Sequence, residues 1–438
     1  MEVPTENFDL AVIDQFPTVT KRYMVESSIE GRYDRNFLST NGNIYNGAIN
    51  DNYLEFTIPG ADGEFTDLSN ISMELKVRLI RPDGIPVDHT DTVTLTDGFF
   101  HRLFQSHSVF LNGVQVEGSN HFGLINNLKT YTSMGAGETS SVGMNMGYKS
   151  PHGEIVETVT VNNLFNGQDG DIATINQMAQ GVIHMMGKLN LDISTADSYL
   201  LDNVEIRIRL ELGRACLVLL AATNNEAYTY RIDMCKLWTR KVVPSPGAIL
   251  SLNRSMNESG DSVSYLFDRP LVKTIIFPAG QRNLTVDNPF NDIVPHKLMV
   301  FSIDQASSNG VYNRNANYFD HGSLSDLSLE LNGNCLSKVK ANFPGECAQA
   351  LFHTTSALGD CHSLITRKIF AIGRSIFVFD TRISDAEGTV NLERKAYLRM
   401  SINYSVAGTA NRIVYIVGFT TGIIKINSLR RIFTSYLQ

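Results

Sequence analysis

The chain has 438 residues, 43% of them hydrophobic and 19% charged, which describes a folded protein and excludes a disordered one. That length exceeds one ordinary core, so two domains of roughly 200 residues each are expected. A net charge of −8 argues against a protein that coats nucleic acid through a basic face, and no direct sequence-specific nucleic-acid binding is expected.

The N-terminal residues, MEVPTENFDLAVIDQFPTVTKRY, carry acidic groups where a secretory leader has its basic region. No apolar run reaches the roughly 18 residues of a membrane span, so no transmembrane segment is expected. The sequons at Asn70, Asn253, Asn257, Asn283 and Asn403 are then chance matches. Five cysteines, at positions 216, 235, 335, 347 and 361, are odd in number and form no C-x-x-C pair. Reduced, mostly buried thiols are expected, as in a chain that folds in the cytosol or nucleus.

Residues 1–45 mix polar and apolar positions without sustained periodicity and read as an extended N-terminal arm. Tyr53 to Ile58 alternates as a strand and ends at the turn pair Pro59-Gly60. Ile71 to Leu79 alternates over nine positions, a half-buried strand with its charges outward, and Val93-Thr94-Leu95 is a further short strand. The stretch Asp97 to Glu117 then opens with a Phe-rich apolar turn or helix, Phe99 to Phe104. It continues as two β-favouring runs about Asn112-Gly113, the dipeptide that supplies positive φ at both centres of a type I′ hairpin. Leu124 to Met134 has Leu124, Leu128 and Tyr131 on one helical face. Ala136 to about Gly170 is rich in Gly, Ser, Asn and Thr and reads as a long exposed loop; Ile172 to Met186 is ambiguous. Val204 to Leu212 is strictly alternating, and Tyr228 to Val243 is another extended run.

Pro244-Ser245-Pro246-Gly247 marks a boundary, so the first domain spans 46–243, a linker spans 244–268, and the second domain spans 269–438. The second half restarts at Leu271 to Phe277 and repeats the Asn-Gly device at Asn332-Gly333. Some 53 positions separate Pro59 from Asn112, and 54 separate Pro278 from Asn332. Long strands follow in the same order, Ile71–Leu79 and Val204–Leu212 in one half, Lys297–Ile303 and Ala396–Tyr404 in the other, with Ile413 to Val417 as a final buried strand. The fold class read from this pattern is all-β, two similar sandwiches in tandem with few short helices.

Chemistry is sparse. Cys347, His353, Cys361 and His362 lie within sixteen residues but have no zinc-finger spacing, and ordinary core or surface roles are expected. His101 and His107 flank the Phe-rich turn and read as packed or hydrogen-bonded structural histidines. Phe99, Phe100 and Phe104 read as core rather than as a base-stacking platform. Gly135-Ala136-Gly137 lacks the context of a dinucleotide loop, and neither a phosphate-binding P-loop nor a Gly-x-Ser-x-Gly elbow occurs. No catalytic, cofactor-binding or metal-ligating residue is assigned, no cofactor is expected, and an enzyme is not.

These residues resemble the double jelly-roll major capsid proteins of Polinton/Maverick elements and adintoviruses, relatives of the adenovirus-type capsid lineage. The resemblance runs from Asn7-Phe8-Asp9-Leu10 and Pro17-Thr18 through Leu54 to Gly60 and Asp67-Leu68-Ser69-Asn70. Its most specific piece is Phe99 to Phe104 with Leu111-Asn112-Gly113, followed by Tyr199-Leu200-Leu201, Val204 to Ile208 and Arg240-Lys241-Val242. In the second half it continues with Ile276 to Gly280, Asn288-Pro289-Phe290, Pro295 and Leu331-Asn332-Gly333. Where family members tend to read Asn-Pro-Phe-x-Phe-x-His, this chain has Asn315 to His321, keeping the aromatic and the histidine.

The resemblance implies two eight-stranded jelly rolls standing side by side, perpendicular to a capsid surface. It implies a homotrimer of pseudo-hexagonal outline that tiles an icosahedral facet, with neighbouring capsomers, single jelly-roll penton proteins and minor capsid proteins as partners. The chain would be a virion component, made in host cytoplasm and assembled there or in the nucleus. The segments 136–170 and 307–317 would be loops at the tower or the trimer contact, and the arm would tie capsomers together. A β-sandwich carbohydrate-binding or adhesion protein, or a viral vertex or spike protein, is the competing reading.

Overall fold

The computed structural model describes residues 28–40, 52–88, 91–148, 155–160, 182–196, 198–222, 227–258, 262–359, 363–382 and 394–434. The first half contains β1 (Ile29–Leu38), β2 (Tyr53–Ile58), β3 (Phe65–Ile80), β4 (Val93–Leu95), β5 (Phe104–Leu111), β6 (Val114–Ser119), β7 (Val182–Lys188), β8 (Ile206–Leu212), β9 (Leu219–Ala221) and β10 (Thr229–Pro244). They form two antiparallel four-stranded sheets, ordered β1-β10-β3-β7 and β2-β8-β5-β6, with β4 and β9 as a short side ribbon.

The second half contains β11 (Val263–Phe277), β12 (Asn283–Asp287), β13 (Ile293–Val294), β14 (Lys297–Asp304), β15 (Leu324–Leu331), β16 (Asn334–Lys340), β17 (Phe377–Asp380), β18 (Arg394–Lys395), β19 (Leu398–Tyr404), β20 (Arg412–Ile426) and β21 (Ile432–Thr434). Its sheets are ordered β11-β20-β14-β17 and β12-β19-β15-β16, with β13 and β18 again a side ribbon and β21 added to the end of β20. Each main strand of the first half has a counterpart at the same place in the second. The molecule is therefore a double jelly roll: all-β, two eight-stranded barrels in tandem.

Period-2 patterning explains the strands. In β3 the side chains of Ile71, Met73, Leu75, Val77 and Leu79 are buried while those between them face outward, and β8 and β19 behave in the same way. Both Asn-Gly turns carry positive φ at both centres, 44° and 80° at Asn112 and Gly113, 50° and 82° at Asn332 and Gly333, as the type I′ hairpin requires. They occupy the same place in the two barrels, joining β5 to β6 and β15 to β16.

One repeat anchor is corrected. Pro59-Gly60 follows β2, the second strand of its barrel, whereas Pro278-Ala279-Gly280 follows β11, the first strand of the other. Pro-Gly pairs end strands generically, so their near-equal distances to the two hairpins do not mark equivalent positions.

The expected boundaries shift as well. Within the 1–45 arm, residues 29–38 pair with β10 as the edge strand of the first barrel, and residues 1–27 lie outside the described residues. Seven of the ten residues of β1 are exposed, so the strand has no apolar alternation to read, and its charged side chains suit an edge that must not pair further. The expected 244–268 linker contains the helix Pro246–Glu258 and the first residues of β11. Pro270 interrupts the pattern of β11 in sequence, yet β11 pairs only with β20 and tolerates the missing N–H along its open edge.

The expected helix near Leu124 to Met134 is observed as Phe122–Ser133. The 136–170 stretch departs from an exposed loop: residues 136–145 are mostly helical, and Thr139, Met146 and Tyr148 are buried. Residues 155–160 reach the second barrel, where the Val159 amide donates to the Asn313 carbonyl at 2.8 Å; residues 149–154 and 161–170 lie outside the described residues. The ambiguous 172–186 stretch ends in β7; its residues 172–181 lie outside the described residues. No helix among the described residues is long and apolar enough to cross a membrane.

Candidate functional site

The Phe-rich segment forms a short helix, Phe99–Arg102, leading into β5, and Phe99, Phe100 and Phe104 are fully buried. Behind it packs the helix Phe122–Ser133, at a separation only glycine permits. A Cβ at Gly123 would lie 2.6 Å from the carbonyl oxygens of both His101 and Phe104. These two helices form one wall of a seam between the barrels.

The centre of the seam is Asp97. Its carboxylate binds the Arg374 guanidinium from the second barrel and accepts the Tyr131 hydroxyl proton at 3.0 Å. Arg374 is 1% exposed and stacks over the Tyr131 ring with its central carbon 4.0 Å from the centroid. The Asn317 side-chain amide donates to the Asp97 carbonyl at 2.5 Å. Burial alone would lower the affinity of Arg374 for its proton, but the charge of Asp97 outweighs it and holds the guanidinium above its usual range. Burial, reinforced by Asp97, pushes the Tyr131 hydroxyl well above the ordinary tyrosine value. The group is thus a charged pair held in apolar packing and has no open face for a substrate.

Asn315, Ala316 and Asn317 of the 307–317 segment, expected as a loop at the tower or the trimer contact, are buried here against the first barrel. The rest of that departure from the family pattern is also structural. Phe319 is fully buried, and His321 stacks on Phe343 at 4.5 Å. An aromatic path links the barrels: Tyr131 to Phe319 (6.1 Å), Phe319 to Phe301 (4.7 Å), Phe301 to Tyr415 (5.2 Å), and Tyr415 back to His121 (6.0 Å). At another point of the seam, Arg430 binds Asp202 while its carbonyl accepts from Asn112 at 3.0 Å, so the first Asn-Gly hairpin touches the second barrel.

The two histidines flagged in the sequence are both structural. The Nε2 of His101 lies 2.8 Å from the Lys188 carbonyl, and its Nδ1 lies 2.7 Å from the Tyr148 hydroxyl, itself 2.8 Å from Asn127 Oδ1. Burial pulls His101 down to about 4, against the opposing hydrogen bond to Lys188. A neutral ring therefore donates from Nε2 to the Lys188 carbonyl, which can only accept.

The linkage has a definite sign. A base whose folded value lies near 4 and whose unfolded value lies near 6.5 stabilises the fold above pH 6.5 and loses that contribution as pH falls toward 4. Asp192, raised to about 6 by burial against the charge of Lys129, acts oppositely, stabilising the fold at low pH and losing that contribution as pH rises through 6. Substituting His101→Asn isolates the first contribution. Relative to wild type, its stability deficit at pH 7 is expected to shrink by about 2–3 kcal/mol at pH 4.5. Parallel guanidinium titrations of both proteins measure this, and an unchanged deficit would contradict a neutral His101.

His107, Glu117 and Asp192 form the only group of three potential metal ligands found among the described residues. Glu117 is already engaged: it binds His107 Nε2 and accepts the backbone amides of Asp192 (2.8 Å) and Ile193 (3.0 Å). Burial would raise the Glu117 pKa, but His107 and those amides prevail and hold it below its usual range. Asp192 is paired with Lys129 at 2.8 Å. The cluster anchors the 3-10 turn Asp192–Thr195, whose Thr195 hydroxyl accepts the Asp268 amide of β11 at 2.9 Å. Cys347 is buried and His353 half-buried in the helix Ala348–Leu358, while Cys361 and His362 lie outside the described residues.

No protein-family model matches this sequence, and no curated protein matches it. Solved structures do. The Sputnik virophage structure determined by cryo-EM matches with a TM-score of 0.62 and 12% identity, covering 99% of this chain and 93% of that one. The mavirus major capsid protein matches at 0.54 and 10%, covering 99% and 97%. The Faustovirus major capsid protein matches at 0.54 and 11%, covering 94% and 92%. Identity this low speaks for the fold, and it does so over nearly whole chains. The protein is a double jelly roll, similar from end to end to major capsid proteins of mavirus and Faustovirus.

Proposed function

We propose that this chain is a major capsid protein, a non-enzymatic shell component of a double-stranded DNA virus or virus-like transposon. The observation that carries this is the pair of barrels with one strand order, locked side by side by the Asp97–Arg374 seam. A chain of that form supplies two equivalent building blocks at a fixed spacing. Three copies then present six barrels around a closed ring, and a pseudo-hexagonal trimer tiles a flat facet against its neighbours.

The motif series from Leu54 to Gly333 supports placement near the Polinton/Maverick and adintovirus lineage. In the shell, single jelly-roll penton proteins and minor capsid proteins would fill the vertices and joints, and residues 1–27 would tie capsomers together. Synthesis falls to the host cytoplasm, with assembly there or in the nucleus. Negative-stain images of the purified protein test this reading. Hexagonal particles with threefold symmetry, or spontaneous shells, are expected. Isolated two-lobed particles that bind glycans would instead support the carbohydrate-binding or adhesion reading.

A further inference from the structure

The two barrels carry matching helices with unequal surroundings. The helix Phe122–Ser133 lies between β6 and β7, and ten of its twelve residues are buried. The second barrel covers it where Tyr131 meets Phe319 and His121 meets Tyr415, rings that both pack on Phe301 of β14. The matching helix Ala348–Leu358 lies between β16 and β17 and buries only Ala350, Thr354, Ala357 and Leu358. Its outer face, with Gln349, Phe352, Thr355 and Ser356, is exposed, and the helix contains no Asp, Glu, Lys or Arg. Phe352 is 70% exposed, and Ile372 in the adjoining helix is 41% exposed. An uncharged helical face with a protruding aromatic suits burial, since the helix itself brings no full charge to be stripped of water.

The sheets are unequal in the complementary sense. The outer face of β14 and β20 is buried within the chain, where Met299, Phe301, Tyr415 and Val417 are each at most 7% exposed. The matching face of the first barrel, on β3, β7 and β10, is open and holds a depression of about 210 Å³. Asp34, Asn70, Met186, Lys188, Trp238 and Arg240 line it. Its floor is formed where the small Ser72 stands opposite both Trp238 and Lys188 in register. The indole N–H donates to Glu74 at 3.1 Å, fixing the ring, and Asp34 pairs with Arg240 at 3.0 Å, balancing the rim charge. An apolar cavity of about 150 Å³ suffices for a benzene ring, so this depression has room for a phenyl group.

We propose that Phe352 of one copy seats in the Trp238–Met186 depression of the next copy. The contact repeats between chains the helix-on-sheet contact that already joins the two barrels within one chain. It rests on the capsomer reading and names the anchor of its interface. Each copy gives one helix and receives one, so the contact is head-to-tail and must close into a ring.

The test uses the full chain. Phe352→Glu and Trp238→Ala are each expected to raise the concentration at which the trimer dissociates by at least about 30-fold, the effect of losing an interface hot spot. Combining them should add little, because both remove one contact. In a background lacking Cys216, Cys335 and Cys361, cysteines introduced as Phe352→Cys and Met186→Cys are expected to give covalent dimers and trimers with a short bismaleimide. Phe352 is exposed, so its substitutions leave the monomer folded, which unchanged far-UV circular dichroism verifies. A wild-type trimer whose dissociation neither substitution moves, or that gives no cross-link, overturns this contact while leaving the capsomer reading intact. A wild-type protein that is monomeric at every concentration overturns both.

Discussion

Asp97→Ala is expected to destabilise the protein by about 3–5 kcal/mol, the cost of leaving a buried charge without its partner. The Arg374 side chain is 2% exposed and its guanidinium sits against the Tyr131 ring, so no path leads it to water without opening the seam. Burial of an unpaired cation is far costlier than loss of a surface ion pair, which contributes about 0–1 kcal/mol. The converse follows from the same physics. Removing both charges together, Asp97→Leu with Arg374→Met, is expected to recover the part of the loss that comes from the unpaired charge, because apolar side chains of similar volume replace a buried pair at little cost. The Tyr131 hydroxyl, left without its acceptor, keeps about 1–3 kcal/mol of it. Guanidinium unfolding of Asp97→Leu, Arg374→Met and the double variant measures this. A double variant as unstable as the sum of the singles would show that the two residues act separately.

Phe301→Ala should cost about 3–5 kcal/mol, the range for truncating a buried aromatic. Phe301 packs on Phe319 at 4.7 Å and stacks on Tyr415 at 5.2 Å, and those two rings meet Tyr131 and His121 of the first barrel. Its removal therefore leaves a void in the layer that couples the barrels. In calorimetry the variant is expected to melt in two resolved steps where the wild type melts in one, each barrel retaining its own core. A single transition displaced to lower temperature would place Phe301 in the core of one barrel alone.

The barrels were legible in the sequence wherever one strand face is core and the other solvent. The alternations at Ile71 to Leu79, Val204 to Leu212 and Ala396 to Tyr404 follow from that geometry, and the two Asn-Gly turns follow from backbone sterics. The first strand of each barrel is only partly legible: β1 reads as an arm, and of β11 only the stretch after Pro270, Leu271 to Phe277, reads as a strand. β1 is an edge with charged residues on both faces, and β11 is an edge interrupted by Pro270.

The seam escaped for a different reason. Asp97 and Arg374 are 277 positions apart, and pairing over that distance leaves no local period to detect. One signal was present. Arg374 stands between Ile369-Phe370-Ala371-Ile372 and Ile376-Phe377, and a single cation inside an apolar run calls for a buried partner. The same reasoning explains the 136–148 and 315–317 segments. Their Gly-, Ser- and Asn-rich composition suits a loop, yet it also suits close packing of irregular backbone whose polar groups bond within each segment and, from Asn315 to the Val156 carbonyl, across the seam.

The most direct test of the central claim is the mass of the purified protein in solution by multi-angle light scattering. The account predicts a stable trimer, three times 48.6 kDa or 145.8 kDa. A monodisperse monomer of 48.6 kDa that persists at high concentration would contradict it, since one chain offers only two of the six barrels a capsomer needs.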